Sequence, residues 1–259
     1  MNLENLQNKK RLGSQTAKDG FKNEKFVIDI FNHWNDNLLA QEWLKTMGYK
    51  IDDILSVKAQ KINGGYKADI QLLVQIILRN LYDVQNIQIK LVSNLNSGFN
   101  QIDKRWLKNY KDMWNIPDNI MELLEYFVGE RTPKILNPKD SRRMFFDEFS
   151  KDEQNNILDF FKTNQALILC DILKGRGKFA SEWFLVILKD KNNQEIKKWI
   201  LKPINEVINF YGGEVKFSPR GSLYIGKITM QRKGGDAGRD SAKMLQFKID
   251  PCELLKTNK

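Results

Sequence analysis

The stretch from residue 66 to residue 94 constrains the fold of this chain most, because it predicts two neighbouring strands with polar side chains between them. An aliphatic run begins near Asp69, and the segment 87–92 alternates apolar and polar residues with period two. Successive residues of a strand point to opposite faces, so Gln88 and Lys90 share one face. We therefore expect a carboxylate, an amide and an ammonium group to lie close together.

This trio of side chains suits metal-assisted cleavage of a phosphodiester. Carboxylate and amide oxygens are hard ligands for Mg²⁺, and an ammonium group can stabilise the negative charge that develops on the phosphate. The same spacing occurs by chance in many proteins, however. The alternative is an ordinary amphipathic strand pair whose polar face contacts only water, and the spacing alone leaves both interpretations open.

The overall charge favours a polyanionic partner. The 259 residues carry a formal net charge of +10, from 42 basic and 32 acidic side chains, and 41% of the residues are hydrophobic, which is enough for a sizeable core. A generally basic protein without such a partner is the alternative. We expect one domain over residues 1–259 rather than two small ones.

The cysteine and histidine content excludes several classes of site. Cys170 and Cys252 lie in or beside apolar runs and support neither a disulfide framework nor a cysteine metal site. His33 is the single histidine, which excludes a His-rich metal site, and a structural role beside Trp34 is expected for it. The N-terminus lacks the apolar segment of a signal peptide, and no apolar run approaches the ~20 residues that span a bilayer. A cytoplasmic protein is expected.

Hydrophobic periodicity predicts most of the secondary structure. Helices are expected over 14–34, 37–47, 100–114 and 203–211. A further helix is expected to begin after Ser150, which can form a capping box with Glu153. Strands are expected over 55–59, 183–189, 196–202 and 245–249. The continuous apolar run 166–173 predicts a buried strand. Residues 115–149 are predicted to be less regular, and alternation that slips by one near Gly226 predicts a β-bulge.

Three basic segments are candidates for contacts with nucleic acid. On the predicted helix 100–114, Gln101 and Lys104 lie three positions apart and therefore on one face; such donors can contact bases in a groove, and a solvated basic face is the alternative. The loop 174–178 alternates basic residues with glycine, which lets backbone approach phosphate closely. In the segment 216–248 basic residues outnumber acidic ones, and its hairpin can lie along a groove.

Longer runs of sequence resemble one known group, the type II restriction endonucleases of the PD-D/E-x-K superfamily, and most closely those that cut GCGC. The resemblance spans nearly the whole chain. It is carried by segments 13–25, 65–70, 90–94, 98–104, 218–222, 231–236 and 244–251.

The resemblance implies a fold, an activity and partners. The fold is of mixed α/β (α+β) class, with a central mixed β-sheet flanked by helices, a catalytic sheet at about 14–115, and C-terminal strands with a DNA-contacting hairpin at about 165–251. The activity is Mg²⁺-dependent, site-specific cleavage of both strands of double-stranded DNA. The implied setting is the cytoplasm of a prokaryote, with a cognate DNA methyltransferase as a functional partner, no membrane, and a monomer or weak dimer.

The resemblance also implies roles for individual residues. It places Asp69, Gln88 and Lys90 in the active site, with Asp69 and Gln88 as metal ligands, and Glu24 matches a helix glutamate that superfamily members often direct at the metal. The residues that it implies in DNA binding are Phe99 as an aromatic wedge between base steps, and Gln101 and Lys104 at base edges. The basic C-terminal hairpin adds Arg220, Arg232 and Lys233 as DNA-binding candidates. Arg232 and Lys233 have two possible roles, guanine recognition by Arg232 or phosphate neutralisation, and we expect at least one base contact there.

One position departs from the wider superfamily. Gln88 stands where most members have an aspartate or glutamate, so the predicted metal site has one negative charge fewer. The GCGC-cutting group shares this glutamine. The missing carboxylate favours one alternative, a DNA-binding protein of the same fold that cuts weakly or not at all. Another alternative is a nuclease of the same fold that acts on RNA or branched DNA, for which the basic surface would serve equally well.

Overall fold

Eight α-helices and ten β-strands make up the regular structure of the described residues. The structure, a computed structural model, describes residues 22–64, 66–76, 82–96, 98–190, 195–219, 221–235 and 239–257. The helices are α1 (22–32), α2 (Leu38–Thr46), α3 (Leu107–Trp114), α4 (Asp118–Val128), α5 (Lys151–Thr163), α6 (Gln165–Leu169), α7 (Ile204–Tyr211) and α8 (Cys252–Thr257). None of these helices is both long and apolar enough to cross a membrane.

The strands form two separate five-stranded sheets. They are β1 (Ile54–Lys61), β2 (Ile70–Ile76), β3 (Tyr82–Val92), β4 (Asn100–Arg105), β5 (Trp183–Lys189), β6 (Ile196–Pro203), β7 (Val215–Phe217), β8 (Leu223–Ile225), β9 (Ile228–Arg232) and β10 (Leu245–Ile249). The chain groups into two compact units, one sheet in each. The mixed-sheet unit comprises the described residues within Arg11–Gly98, with Leu173–Val207 and Pro251–Lys259; the antiparallel-sheet unit includes Phe99–Ile172 and Ile208–Asp250.

The mixed-sheet unit has the strand order β1-β2-β3-β5-β6. β3 and β5 pair in parallel, and the other neighbours are antiparallel. Helices α1 and α2 pack on the sheet through buried apolar residues, with the rings of Phe31 and Trp43 5.2 Å apart and those of Trp43 and Trp199 6.1 Å apart. A mixed sheet flanked by helices confirms the predicted fold class.

Helix ends in both units follow local rules. Asn37 caps α2 by accepting hydrogen bonds from the amides of Leu39 and Ala40. The predicted capping box is present at α5, where Ser150 accepts from the amide of Glu153 and the Glu153 carboxylate accepts from the amide of Ser150. These ends were predictable because each depends on side chains within a few residues.

The antiparallel-sheet unit has the strand order β4-β10-β9-β8-β7. Its core is aromatic. Tyr110 and Trp114 of α3 stack on each other at 4.5 Å and meet Phe247 of β10 edge-on, and Phe146 stacks between Phe127 and Phe217. Helices therefore cover the face of the sheet that carries Phe247.

The predicted helix 100–114 is wrong in its first half. Residues Asn100–Arg105 form strand β4, and the helix begins only at Leu107, after Trp106. β4 pairs with β10, which lies about 140 residues further along the chain. A tertiary contact of this kind overrides local helix propensity and leaves no local pattern.

The predicted buried strand 166–173 is also wrong, because the segment is helical. α6 is followed by one π-helical turn over Cys170–Lys174. The buried residues Ile168, Leu169, Ile172 and Leu173 recur at helical spacing, whereas Leu167 is 41% exposed. A continuous apolar run does not distinguish a buried strand from a buried helix.

Two further predictions need correction. The segment 115–149 contains an eleven-residue helix, α4, which was predicted as irregular. The slip near Gly226 is a hairpin turn rather than a bulge, since Ile225 pairs directly with Ile228. Gly226 has a φ of +57°, and a Cβ atom there would lie 2.4 Å from the backbone of Gly212, so only glycine fits.

Candidate active site and DNA-contacting surface

Asp69 is fixed beside the strand that carries Gln88 and Lys90. It directly precedes β2, and Ile70 pairs with Ile87 of β3. The Asp69 amide donates to the carbonyl of Ile87 at 2.9 Å, and the amide of Ile89 donates to Oδ2 of Asp69 at 2.6 Å. Gln88 and Lys90 flank Ile89, and their side chains share the face of the strand opposite to the Ile89 side chain. The structure thus brings these three predicted residues together within one sheet.

The electrostatic environment of Asp69 combines burial with nearby charges of both signs. Burial raises the pKa of Asp69 above its usual value, and the Glu24 carboxylate adds to that increase. Lys90, the amide of Ile89 and Lys67 act in the opposite direction and favour the ionised form. Lys90 exerts the largest of these stabilising effects, so the ammonium group and the carboxylate act on each other directly.

Gln88 presents a buried oxygen that lacks a hydrogen-bond donor. The residue is 3% exposed, and its Oε1 atom is buried without a partner among the described residues. A buried acceptor left unsatisfied costs about 1–3 kcal/mol. A cation beside Asp69 would satisfy this oxygen, so the donor chemistry of Asp69 and Gln88 fits Mg²⁺.

The candidate metal site is sparse in charge. Within the parts of the chain that the structure describes, no group of three or more His, Cys, Asp or Glu side chains could hold a metal ion. The donors are therefore one carboxylate, Asp69, and one amide oxygen, Gln88. A bound ion would depend on substrate phosphate and water for its other ligands.

Glu24 lies near this site but already has a partner. It belongs to α1, and its Oε2 atom forms an ion pair with Lys61 of β1 at 2.7 Å. Its effect on Asp69 is electrostatic, as the pKa of Asp69 shows. The predicted helix residues 14–21, which precede α1, lie outside the described residues.

Two further residues, neither of them among the predicted site residues, support the site. Lys67 is buried and favours the ionised form of Asp69. Gly175, at a φ of +79°, packs so closely on the Lys67 side chain that a Cβ atom there would lie 2.5 Å from Lys67 Cγ. In the sequence, the glycines of the basic loop 174–178 indicated a backbone that can be approached closely, but they did not indicate that Lys67 packs there.

Asn86 ties the same loop to the central strand. Its side-chain Nδ2 donates to the carbonyls of Lys178 and Ala180 at 2.9 and 3.1 Å, and its Oδ1 accepts from Gln71. Asn86 is buried and lies on the face of β3 that carries Gln88. It therefore holds the basic loop at the candidate site.

Asn86→Ala is expected to lower the free energy of unfolding by about 1–3 kcal/mol, because two carbonyls of the loop lose the donor that this buried side chain supplies. Urea denaturation measures this change, and hydrogen exchange should accelerate at the amides of Ser181 and Glu182. Gln60→Ala is the matched control, since it removes an exposed hydrogen bond to Gln71 and should cost less than about 0.5 kcal/mol. Equal effects of the two substitutions would show that Asn86 does not hold the loop.

Gln101 and Lys104 share one face of the antiparallel sheet, although they lie on a strand and not on a helix. Lys104 pairs with Gln246, and Gln101 pairs with Lys248, because a β-bulge near Ile102 shifts the register. Gln246 and Lys248 are two apart on β10 and therefore point to the same side. Gln231 of β9 pairs with Gln246 and joins this face. The sheet thus carries a row of glutamine and lysine side chains across three strands.

The remaining predicted DNA-binding residues lie at different places in the antiparallel-sheet unit. Phe99 precedes β4 and is 49% exposed. Arg232 ends β9 and pairs with Leu245, so it faces away from Gln231 and Gln246. Lys233 follows it, and its carbonyl accepts from the Gln246 side chain at 3.4 Å. Arg220 lies outside the described residues.

Comparison with known protein families identifies one match. No individually curated protein matched the chain. The family model of the R.HinP1I restriction endonuclease matches residues 47–255, which is well over half of the sequence and includes Asp69, Gln88, Lys90 and both sheets. The chain therefore belongs to the R.HinP1I restriction endonuclease family, whose members are nucleases that act on DNA.

Proposed function

We propose that this protein is a type II restriction endonuclease that cuts both strands of DNA at GCGC in the presence of Mg²⁺. The observation that carries the proposal is the pairing of Asp69, held by the amide of Ile89, with the buried, donor-free oxygen of Gln88. Membership of the restriction endonuclease family supports cleavage of DNA, and the resemblance to GCGC-cutting enzymes supports GCGC as the recognition sequence.

Each residue of the candidate active site has a proposed role. Asp69 and Gln88 would hold the metal ion, and Lys90 would stabilise the charge of the pentavalent phosphate and orient the attacking water. Glu24 would hold Lys61 and add negative charge beside Asp69. When bound, Mg²⁺ would supply a Lewis acid for the phosphate oxygens.

The row of polar side chains on the antiparallel sheet is proposed to contact bases. Lysine can donate to guanine O6 and N7, and glutamine can both donate and accept in the major groove. Gln101, Lys104 and Gln231 supply these groups from one face, whereas Gln246 on the same face is buried and its amide donates to the carbonyl of Lys233. Phe99 would insert between base steps, and Arg220 and Lys233 would contact the duplex backbone. A cognate methyltransferase in a prokaryotic cytoplasm would protect the host's own sites.

A DNA-binding protein without cleavage is the second candidate. It is favoured by Gln88, because the metal site then has a single carboxylate. Incubation of plasmid with the protein, in Mg²⁺ and in EDTA, distinguishes the candidates. Discrete fragments that appear only with Mg²⁺ support the proposal, a smear indicates a nonspecific nuclease, and retardation without cutting indicates binding alone.

Lys104→Ala is expected to weaken binding of the GCGC duplex by about 1–3 kcal/mol and to affect a one-base mismatch much less, because a base contact is lost. Lys22→Ala is the control: Lys22 is exposed at the start of α1, and loss of a phosphate contact there should weaken both duplexes equally. Dissociation constants on the two duplexes at several salt concentrations provide the measurement. Equal losses on both duplexes for Lys104→Ala would assign Lys104 to a solvated basic surface.

A further inference from the structure

A pocket in the antiparallel-sheet unit is lined mainly by cationic side chains. Its walls carry four cations and one carboxylate, together with three small residues. The lining residues include Gly129, Arg142, Arg232, Arg239, Asp240 and Lys243. The carboxylate, Asp240, forms an ion pair with Lys243 at 3.2 Å. The pocket therefore has a net positive charge that an anion would balance.

Arg232 contributes a partly buried charge to this pocket. Its side chain is partly buried, and its Nε atom is buried without a hydrogen-bond partner among the described residues. Burial lowers the pKa of Arg232 from its ordinary value, and the nearby charge of Arg142 lowers it further, while the Asp140 carboxylate acts in the opposite direction. A buried guanidinium N–H without an acceptor is costly, and an anion in the pocket would supply the acceptor.

Gly129 and Arg142, which also line the pocket, are held in place by close contacts. Gly129 ends α4 at a φ of +84°, and a Cβ atom there would lie 2.4 Å from the carbonyl oxygen of Arg142. Asp140 accepts two hydrogen bonds from the Arg142 guanidinium, at 2.8 and 2.9 Å, and one from its amide. The Arg142 side-chain hydrogen bonds lower the pKa of Asp140 to about 2, so this carboxylate stays ionised and fixes Arg142 at the pocket.

We infer that this pocket binds a phosphate group, and that its ligand is a backbone phosphate of the DNA duplex. The guanidinium group matches phosphate geometry through paired N–H donors. A base contact by Arg232 is disfavoured because its side chain points away from the face that carries Gln101, Lys104 and Gln231. The inference rests on the proposed function for its ligand, and it assigns Arg232 to phosphate rather than to guanine.

The test compares Arg232→Gln with wild type on a GCGC duplex and on a one-base mismatch, across several salt concentrations. Loss of one phosphate contact should weaken both duplexes by the same factor and reduce the slope of log K against log salt by about one. Arg239→Gln, an exposed position on the same pocket, should act in the same direction and guards against misfolding at Arg232. The control is Arg131→Gln, an exposed arginine that forms ion pairs with Glu122 and Glu125, which should change neither quantity.

Several outcomes overturn the inference. Selective loss on GCGC would make Arg232 a base-contacting residue, and an unchanged salt slope in both pocket variants would remove the phosphate contact. Thermal stabilisation of wild type by inorganic phosphate, lost in Arg232→Gln but without any effect on duplex binding, would assign the pocket to a free anion. A wild-type protein that binds duplex without cutting contradicts the proposed function alone, whereas one that binds no duplex contradicts both.

Discussion

Lys90→Ala is expected to slow single-turnover cleavage of a GCGC duplex by about 10²- to 10³-fold, which is the usual cost of removing one group that stabilises transition-state charge. The Lys90 ammonium favours the ionised form of Asp69 by lowering the pKa of that carboxyl, and in the proposed function it stabilises the charge of the reacting phosphate. Duplex binding should remain close to wild type, because one cation among 42 basic residues contributes little to the total attraction.

Lys58→Ala provides the matched control for this substitution. Lys58 lies on β1 in the same sheet, and its side chain is exposed, so cleavage and binding should both be unchanged. Retention of more than about a tenth of wild-type activity by Lys90→Ala would place the catalytic cation elsewhere. Parallel loss of binding and cleavage would make Lys90 a contributor to duplex affinity only.

The polar trio was predictable because strand periodicity alone places Gln88 and Lys90 on one face. The partner that holds Asp69 in place, the amide of Ile89, follows from the antiparallel pairing of β2 and β3, which were predicted to be neighbouring strands. No local sequence feature predicted the parallel pairing of β3 with β5. It joins residues about 95 positions apart, and only the folded sheet brings them together.

The residues that support the site were harder to predict than the site itself. Asn86 and Lys67 belong to the same stretch as Asp69 and Gln88, but their contacts reach the loop 174–178, far along the chain. A buried amide that bonds two distant carbonyls leaves no periodic pattern in sequence. The glycines of the loop indicated that another group can approach its backbone closely. In the structure, the Lys67 side chain is the group that packs against Gly175.

Gln101 and Lys104 were expected on one face for a reason that proved wrong. A spacing of three places two residues together on a helix but on opposite sides of a regular strand. The structure has a strand, and the bulge near Ile102 restores the shared face by inserting one residue into the register. The shared face of Gln101 and Lys104 was therefore predicted. Strand β4, which carries both residues, was not predicted, because it forms by pairing with the distant strand β10.

Asp69→Asn is expected to abolish Mg²⁺-supported cleavage, because it removes the carboxylate from a site whose other protein donor is a neutral amide. The substitution should preserve the fold. An asparagine carbonyl can accept the hydrogen bond that the amide of Ile89 now donates to Oδ2, and the side chain has nearly the same shape. Any loss of cleavage can then be attributed to metal binding and not to a displaced strand.

The measurements for Asp69→Asn are cleavage over a range of Mg²⁺ concentrations and duplex binding in EDTA. Binding without metal should be retained or tighter, because repulsion between the carboxylate and the DNA phosphates is removed. Asp52→Asn, which neutralises an exposed carboxylate in the same unit, should leave cleavage intact. Wild-type cleavage by Asp69→Asn at every Mg²⁺ concentration would show that the metal is held elsewhere, and the buried oxygen of Gln88 would then need another explanation.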